Sequence, residues 1–262
     1  MPSISPAVTF DLWHTLIYLE PDDEEAYMRR QVDSAVEVLR SSDAIPGSRR
    51  AAEPELRAAF EAEYDRAVAA SGEGLTVTPA EQLTRAAEAT GRRARPGAYV
   101  DALERAVGEM PFRVGSGARS ALRELRDRGY SVGVISNTVG EPGRFFRPIL
   151  RRMGFDDLVQ SYTFSDEHPW TKPAPEIFRA ALEQLRSRPE FAVHVGDGWS
   201  DIEGARRSGM KAGILFTGLQ EYGEKYRSLF LRAGWEPPET VPRAPRMADV
   251  VPIVRRVLPI SG

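Results

Sequence analysis

Ala7-Val8-Thr9-Phe10-Asp11 is a short, nearly unbroken apolar run that stops on a carboxylate. A run of that kind reads as a buried strand, and a charge at its carboxyl end reads as chemistry. The pattern returns after Phe112. Residues 131–136 (SVGVIS), 191–195 (FAVHV) and 212–216 (AGILF) read as further buried strands, and Tyr162-Thr163-Phe164 as a short one. Helical stretches at 116–128, 145–153, 175–186 and 202–208 separate them, Gly129 and Gly154 stopping the first two, and a last helix covers 247–257. Such alternation implies right-handed βαβ units. The expected fold is therefore α/β, a Rossmann-like doubly wound parallel sheet with ligands at the carboxyl ends of its strands.

Residues from about 17 to 112 break this rhythm. Tyr27, Met28, Val32, Ala35, Val36 and Leu39 recur at helical spacing, as do Leu56, Phe60, Tyr64 and Val68. Thr78-Pro79-Ala80-Glu81 sets a capping hydroxyl, a first-turn proline and a capping-box glutamate in order, and Gly91 closes that helix. Residues 96–107 give a fourth. Four helices and no strand make this stretch a separate, small α-helical module. Residues 217–245 are dotted with Pro and Gly, and their 235–245 part reads as a surface excursion rather than a partner surface.

Composition narrows the function. A chain of 262 residues can bury a full core, as one large α/β domain or as a core domain carrying a smaller one. It has no cysteine, which excludes disulfides, thiolate metal sites and cysteine nucleophiles. His14, His168 and His194 lack zinc-ligand spacing. With 35 basic and 38 acidic residues the formal charge is -3, which argues against a nucleic-acid partner. The short basic run Gly91-Arg92-Arg93-Ala94-Arg95 reads as a solvated helix end. No apolar stretch approaches the roughly 20 residues of a membrane helix, and residues 1–6 lack a basic leader, so the expected location is the cytoplasm with no membrane partner.

Four sites stand at or just after strand ends: Asp11, Ser136-Asn137-Thr138, Lys172-Pro173, and Gly196-Asp197-Gly198-Trp199-Ser200-Asp201. A parallel sheet would gather an acidic nucleophile, a hydroxyl with backbone amides, a cation and a carboxylate pair. Those are the parts of phosphoryl transfer, where catalysis is mostly positioning and charge stabilisation. Blander readings exist: Ser136 as a helix cap, and Asp197 and Asp201 as helix N-terminal charges. Lys172 resists one. The chain has three lysines (Lys172, Lys211 and Lys225) and otherwise uses arginine, and a lysine near a helix N-terminus opposes the dipole. A compact ammonium is wanted there.

The four sites, in order and spacing, resemble the four motifs of the haloacid dehalogenase-like (HAD) superfamily, and the helical module after the first resembles a type C1 cap. The resemblance implies a core at 1–16 and 113–262 and a cap at 17–112. It implies that Asp11 attacks phosphorus and forms an aspartyl-phosphate on a small-molecule phosphorylated substrate. Mg²⁺ would be held by Asp11, the Trp13 backbone carbonyl and Asp197, with Asp201 either ligating through water or supporting Lys172. Ser136, Asn137 and nearby amides at a helix N-terminus would bind the phosphoryl oxygens, and Lys172 would neutralise the developing charge. The superfamily tolerates histidine at the position of His14, which is read as structural; His194 is read as core.

Superfamily phosphatases usually carry a second aspartate two residues after the nucleophile, to protonate the leaving group. Here that position is Trp13. The dehalogenating branch also lacks that aspartate, but it works without metal and lacks the Gly-Asp of motif four, which this chain has as Gly196-Asp197. The expectation is thus a Mg²⁺-dependent phosphohydrolase whose missing acid is replaced by a cap residue, by substrate assistance, or not at all. The alternatives are a 2-haloacid dehalogenase-like hydrolase forming an ester on Asp11, and a catalytically weak protein that binds a phospho-ligand or a partner. Trp13→Asp is expected to raise turnover on alkyl phosphates, provided the loop keeps its shape.

Overall fold

A computed structural model describes residues 4–49, 51–219 and 234–260. Six strands form one parallel sheet: β1 (Ala7–Phe10), β4 (Ser131–Ser136), β5 (Ser161–Phe164), β6 (Ala192–Gly196), β7 (Ala212–Phe216) and β8 (Arg243–Ala244). Their spatial order is β5-β4-β1-β6-β7-β8. The chain steps outward from β1 through β4 to β5, then returns to the other side of β1 for β6, β7 and β8. This reversal opens a crevice at the carboxyl ends of the central strands, the usual place for a ligand in such sheets.

β1, β4 and β6 are buried at every residue. Period two still sorts their side chains. Val8, Phe10, Val132, Val134, Val193 and Val195 join one large apolar cluster, with residues of α5 (Ala118–Asp127) and α9 (Met247–Val257). Ala7 and Ile135 join a second, with Ile177 and Phe178 of α7 (Pro175–Gln184) and Ala205 of α8 (Trp199–Ser208). Helices thus cover both faces, as a parallel sheet requires. The part of the 217–245 stretch that is described ends in β8, an edge strand; residues 220–233 lie outside the described residues.

The helical stretch consists of α1 (Pro21–Ser41), α2 (Glu53–Gly72), α3 (Pro79–Ala89) and α4 (Pro96–Gly108), packed on one another. Each begins with a proline in its first two positions, where the missing N–H costs nothing. At α3 the Thr78 hydroxyl accepts from the Glu81 N–H at 3.2 Å, and the Glu81 carboxylate accepts from the Thr78 N–H at 2.7 Å. α6 (Phe146–Arg152) follows a short 3₁₀ turn, Gly143–Phe145.

Two expectations are corrected here. The stretch is not free of strands: β2 (Ile17–Tyr18) and β3 (Arg113–Val114) pair antiparallel, stitching together the places where the chain leaves and rejoins the sheet. Two residues per strand are too few to show a period. Arg92 is not solvated either. It is 3% exposed, and its guanidinium donates to the carbonyls of Leu39, Arg40, Ser42 and Ala51, closing the end of α1.

Candidate active site

Asp11 follows β1 directly, its N–H extending the ladder to Val195 O at 2.8 Å. Lys172 sits on the loop before α7, and Asp201 on the first turn of α8. The Lys172 ammonium donates to Asp11 Oδ1 at 2.5 Å and to Asp201 Oδ1 at 2.6 Å. All three side chains are buried, and Asp197, half-buried, completes a carboxylate triad whose oxygens lie within 4.8 Å of one another. The first, third and fourth sequence sites are therefore one cluster, although 161 residues separate Asp11 from Lys172.

Its electrostatics are unbalanced. Three carboxylates face one ammonium. Burial, with Asp201 and Asp197 adding, pushes the Asp11 carboxyl from 3.8 up to about 8 against the pull of Lys172. Burial also works against Asp201, but Lys172 and a hydrogen bond from His194 hold it well below the usual range. Lys172 is raised above its ordinary value: burial opposes its charge, and its two carboxylate partners outweigh that. Burial, with Lys172 adding, lowers His194 below its ordinary value against the pull of Asp201. A site with surplus negative charge and oxygen-only donors fits a hard divalent cation such as Mg²⁺, which Asp11 and Asp197 would hold.

Asp201 is positioned differently. Both its oxygens already accept hydrogen bonds: Oδ1 from Lys172 and from His194 at 3.0 Å, Oδ2 from the Gly198 N–H at 3.0 Å. Its carboxylate lies against the bare Cα of Gly196, where a Cβ would come within 2.2 Å of Asp201 Cγ. The glycine of Gly196-Asp197 is thus required by the aspartate five residues on.

Ser136 ends β4 and is fully buried. No helix N-terminus adjoins it: the first helical turn starts at Gly143, because the loop between is anchored elsewhere. Asp166 accepts from Thr138 Oγ1 at 2.7 Å and from the Gly143 N–H at 2.9 Å, and the Thr138 N–H donates to Ser165 Oγ at 2.8 Å. The Asn137 side chain grips the Lys172 backbone. Its Oδ1 accepts from the Lys172 N–H at 2.8 Å and its Nδ2 donates to Lys172 O at 3.0 Å.

Trp13 is buried among aromatic rings: Tyr27 of α1 at 5.3 Å between centroids, Phe112 at 5.5 Å and Phe146 at 5.7 Å. Beside it Glu141, which sequence reasoning missed, accepts from Gln31 Nε2 at 3.1 Å, with the Tyr27 and Trp13 side chains next to it. Burial pushes this carboxyl up to about 8. His14 pairs with Glu24 of α1 at 3.1 Å, and His168 is half-buried on its loop. The ring packs α1 onto the nucleophile loop, so the condition attached to Trp13→Asp, that the loop keep its shape, turns on this aromatic cluster. Trp13→Ala is expected to cost about 3–5 kcal/mol, read from urea unfolding. An unchanged midpoint would show that the cluster is loosely packed.

A family model described as haloacid dehalogenase-like hydrolase matches residues 6–209. The glyceraldehyde 3-phosphate phosphatase of Pyrococcus furiosus is 35% identical over 136 residues, 52% of this chain and 53% of that protein. The chain thus spans about half the length of that curated relative. A HAD phosphatase from Thermococcus onnurineus superposes with a TM-score of 0.58 at 19% identity, covering 95% of this chain and 97% of that one. The HAD-hydrolase YfnB of Bacillus subtilis, bound to magnesium, superposes with a TM-score of 0.56 at 16% identity, covering 98% and 100%. At these identities the likeness is one of fold. Among the described residues no helix is long and apolar enough to cross a membrane.

Proposed function

Because the chain belongs to the haloacid dehalogenase-like hydrolase family, we propose that it is a Mg²⁺-dependent phosphohydrolase working through an aspartyl-phosphate on Asp11. Its substrate is a small-molecule phosphate monoester or acyl phosphate. The observation that carries this reading is the carboxylate triad around Lys172, with oxygens within 4.8 Å of one another. A metal site suits a dianionic phosphate and serves no purpose in displacing a halide. The magnesium named for YfnB and the phosphatase activity named for the Pyrococcus protein point the same way.

When bound, Mg²⁺ supplies charge neutralisation at the phosphoryl oxygens. The protein's own groups do the rest. Asp11 attacks phosphorus as the bond to the leaving oxygen breaks, that group departing as its anion or with a proton from solvent, and water then cleaves the aspartyl-phosphate to inorganic phosphate and free Asp11. Lys172, held by Asp201, offsets the charge on Asp11 and on the transferring group. The Ser136 hydroxyl and loop amides bind the phosphoryl oxygens; the Asn137 side chain serves this indirectly by fixing Lys172. Asp11, Asp197 and the Trp13 carbonyl would hold the Mg²⁺, and Asp201 would act on Lys172 or through water. Residues 1–16 and 113–262 form the core in this reading, and 17–112 the cap over it.

With Trp13 where a general acid usually stands, rates depend on the leaving group. General acid–base catalysis is worth about 10²–10⁴-fold, so acyl and aryl phosphates should exceed alkyl ones by a comparable factor. The test is phosphate release across a graded ester series, with Mg²⁺ or with EDTA and with 2-chloropropionate alongside. A flat series would sink the missing-acid argument. Chloride release that survives EDTA would instead establish the dehalogenase. Neither product, with Mg²⁺ bound, would establish a binding protein.

A further inference from the structure

The register of β1 and β6 sets Thr9 directly opposite His194. Their neighbours Val8, Phe10, Val193 and Val195 all turn to the α5–α9 face, so Thr9 and His194 share the α7–α8 face, beneath Asp201. Both are fully buried, and the imidazole stands edge-on to Phe178 with centroids 5.1 Å apart. Nδ1 lies 2.8 Å from Thr9 Oγ1, and Nε2 lies 3.0 Å from Asp201 Oδ1.

These contacts fix the direction of every hydrogen bond. An ionised carboxylate only accepts, so Nε2 carries the proton and donates to Asp201. Nδ1 is then the bare nitrogen, and the Thr9 hydroxyl donates to it; the alternative acceptor, Val193 O, is distant at 3.4 Å. Thr9 thus selects the tautomer that serves Asp201. A buried valine or leucine would fill a strand position without the desolvation cost of an imidazole. The ring nonetheless has both nitrogens matched, one of them aimed at the carboxylate that holds Lys172.

We infer that Thr9 and His194 are a positioning pair, which locks the Asp201 carboxylate and through it holds the Lys172 ammonium against Asp11. The inference rests on Asp11 and Lys172 acting as proposed above. Lysine has a long flexible stem, and Asp201 restrains it only if Asp201 itself cannot turn. His194 on Oδ1 and the Gly198 N–H on Oδ2 prevent that.

The test compares His194→Leu, His194→Gln and Thr9→Val with the parent and with Asp11→Asn on p-nitrophenyl phosphate. It records kcat, KM, half-saturating Mg²⁺ and the unfolding midpoint. His194→Leu is expected to lower kcat at saturating Mg²⁺ about 10–100-fold, the usual range for a partner that orients a ligand or catalytic group. Half-saturating Mg²⁺ should stay put. His194→Gln, which keeps an N–H near the Nε2 position, should recover most of the loss, and the isosteric Thr9→Val should fall between. Equal losses in Leu and Gln, losses that track the midpoint, or a normal kcat with shifted Mg²⁺ dependence would overturn the inference. If His194→Leu does not fold, Gln and Thr9→Val decide by the same criteria. Turnover retained by Asp11→Asn would show instead that the reading of the site is wrong, whereas an inert Asp11→Asn beside a fully active His194→Leu would reject the positioning pair alone.

Discussion

Asp11→Asn should abolish phosphate release and at the same time make the protein harder to unfold. The loss of turnover follows from removing the nucleophile, a change that costs on the order of 10⁴–10⁶-fold in hydrolases of this general kind. The gain in stability follows from the crowding of charge. Burial together with Asp201 and Asp197 pushes the Asp11 carboxyl up to about 8 in the folded chain, against 3.8 for a free side chain. The fold therefore favours the protonated acid. Its contribution is fully present below about pH 4 and is lost as pH rises through 8. Asparagine has the shape of that acid and no charge at any pH. In EDTA the variant should exceed the parent by on the order of 1–3 kcal/mol at pH 8, and by little at pH 4. Saturating Mg²⁺ should narrow the gap, because a cation that binds only the folded parent stabilises it by mass action. Urea unfolding at both pH values, paired with a colorimetric phosphate assay, reads both effects. A variant that keeps more than about a hundredth of parental turnover would remove Asp11 as nucleophile, far outside the range for a lost nucleophile. A stability difference that ignores pH would remove the charge argument.

The strands that carry the site were legible because each is a buried run ending in an unusual residue. Residues 131–136 and 212–216 were bounded correctly, and so was the helix at 247–257. Lys172 was legible from composition, since a chain rich in arginine uses lysine there. What failed to show was whatever depends on contact rather than order. β2 and β3 are two residues each, too short for any period, and they declare themselves only when paired. Arg92 looked like surface charge in a basic run, because nothing local says that four carbonyls of α1 and its following loop converge on it. Nothing local to Asn137 says that its side chain binds the Lys172 backbone, 35 residues on. His194 was read as core, which its burial supports, yet it also reaches Asp201. A signal was available: alternation in β1 and β6 assigns Thr9 and His194 to the face opposite their valine neighbours, and two adjacent buried polar groups need each other. Glu141 had no such signal, since its donor, Gln31, comes from α1 far upstream.

Lys172→Met should act on stability in the opposite sense to Asp11→Asn. Removing one carboxylate from three lessens the surplus of negative charge, whereas removing the ammonium leaves Asp11, Asp197 and Asp201 together without their buried counter-charge. Breaking a buried pair from one side costs about 3–5 kcal/mol, because the partner's charge stays behind uncompensated. The pH signature follows from Asp201. In the parent Lys172 and His194 hold its carboxyl low despite burial, so its contribution is present above the ordinary carboxylate range and lost on acidification. Without Lys172 that contribution goes, and the deficit should be largest at neutral and alkaline pH and shrink as the carboxylates protonate. Added Mg²⁺ should restore part of the stability but little turnover, since the charge at the transferring phosphoryl group has lost its fixed lysine. Lys172→Arg should not rescue either property: a planar fork does not replace a compact ammonium at a position 3% exposed. Most telling is the double variant. If Asp11 and Lys172 belong to one charge cluster, Asp11→Asn should gain more stability in the Lys172→Met background than in the parent, so that the double variant is more stable than the sum of the two single changes. Residues in contact commonly couple by about 0.5–3 kcal/mol, which unfolding midpoints of the four proteins can resolve. Additive midpoints would mean that the 2.5 Å contact between them carries no energetic coupling, and the surplus-charge account of the site would have to be given up.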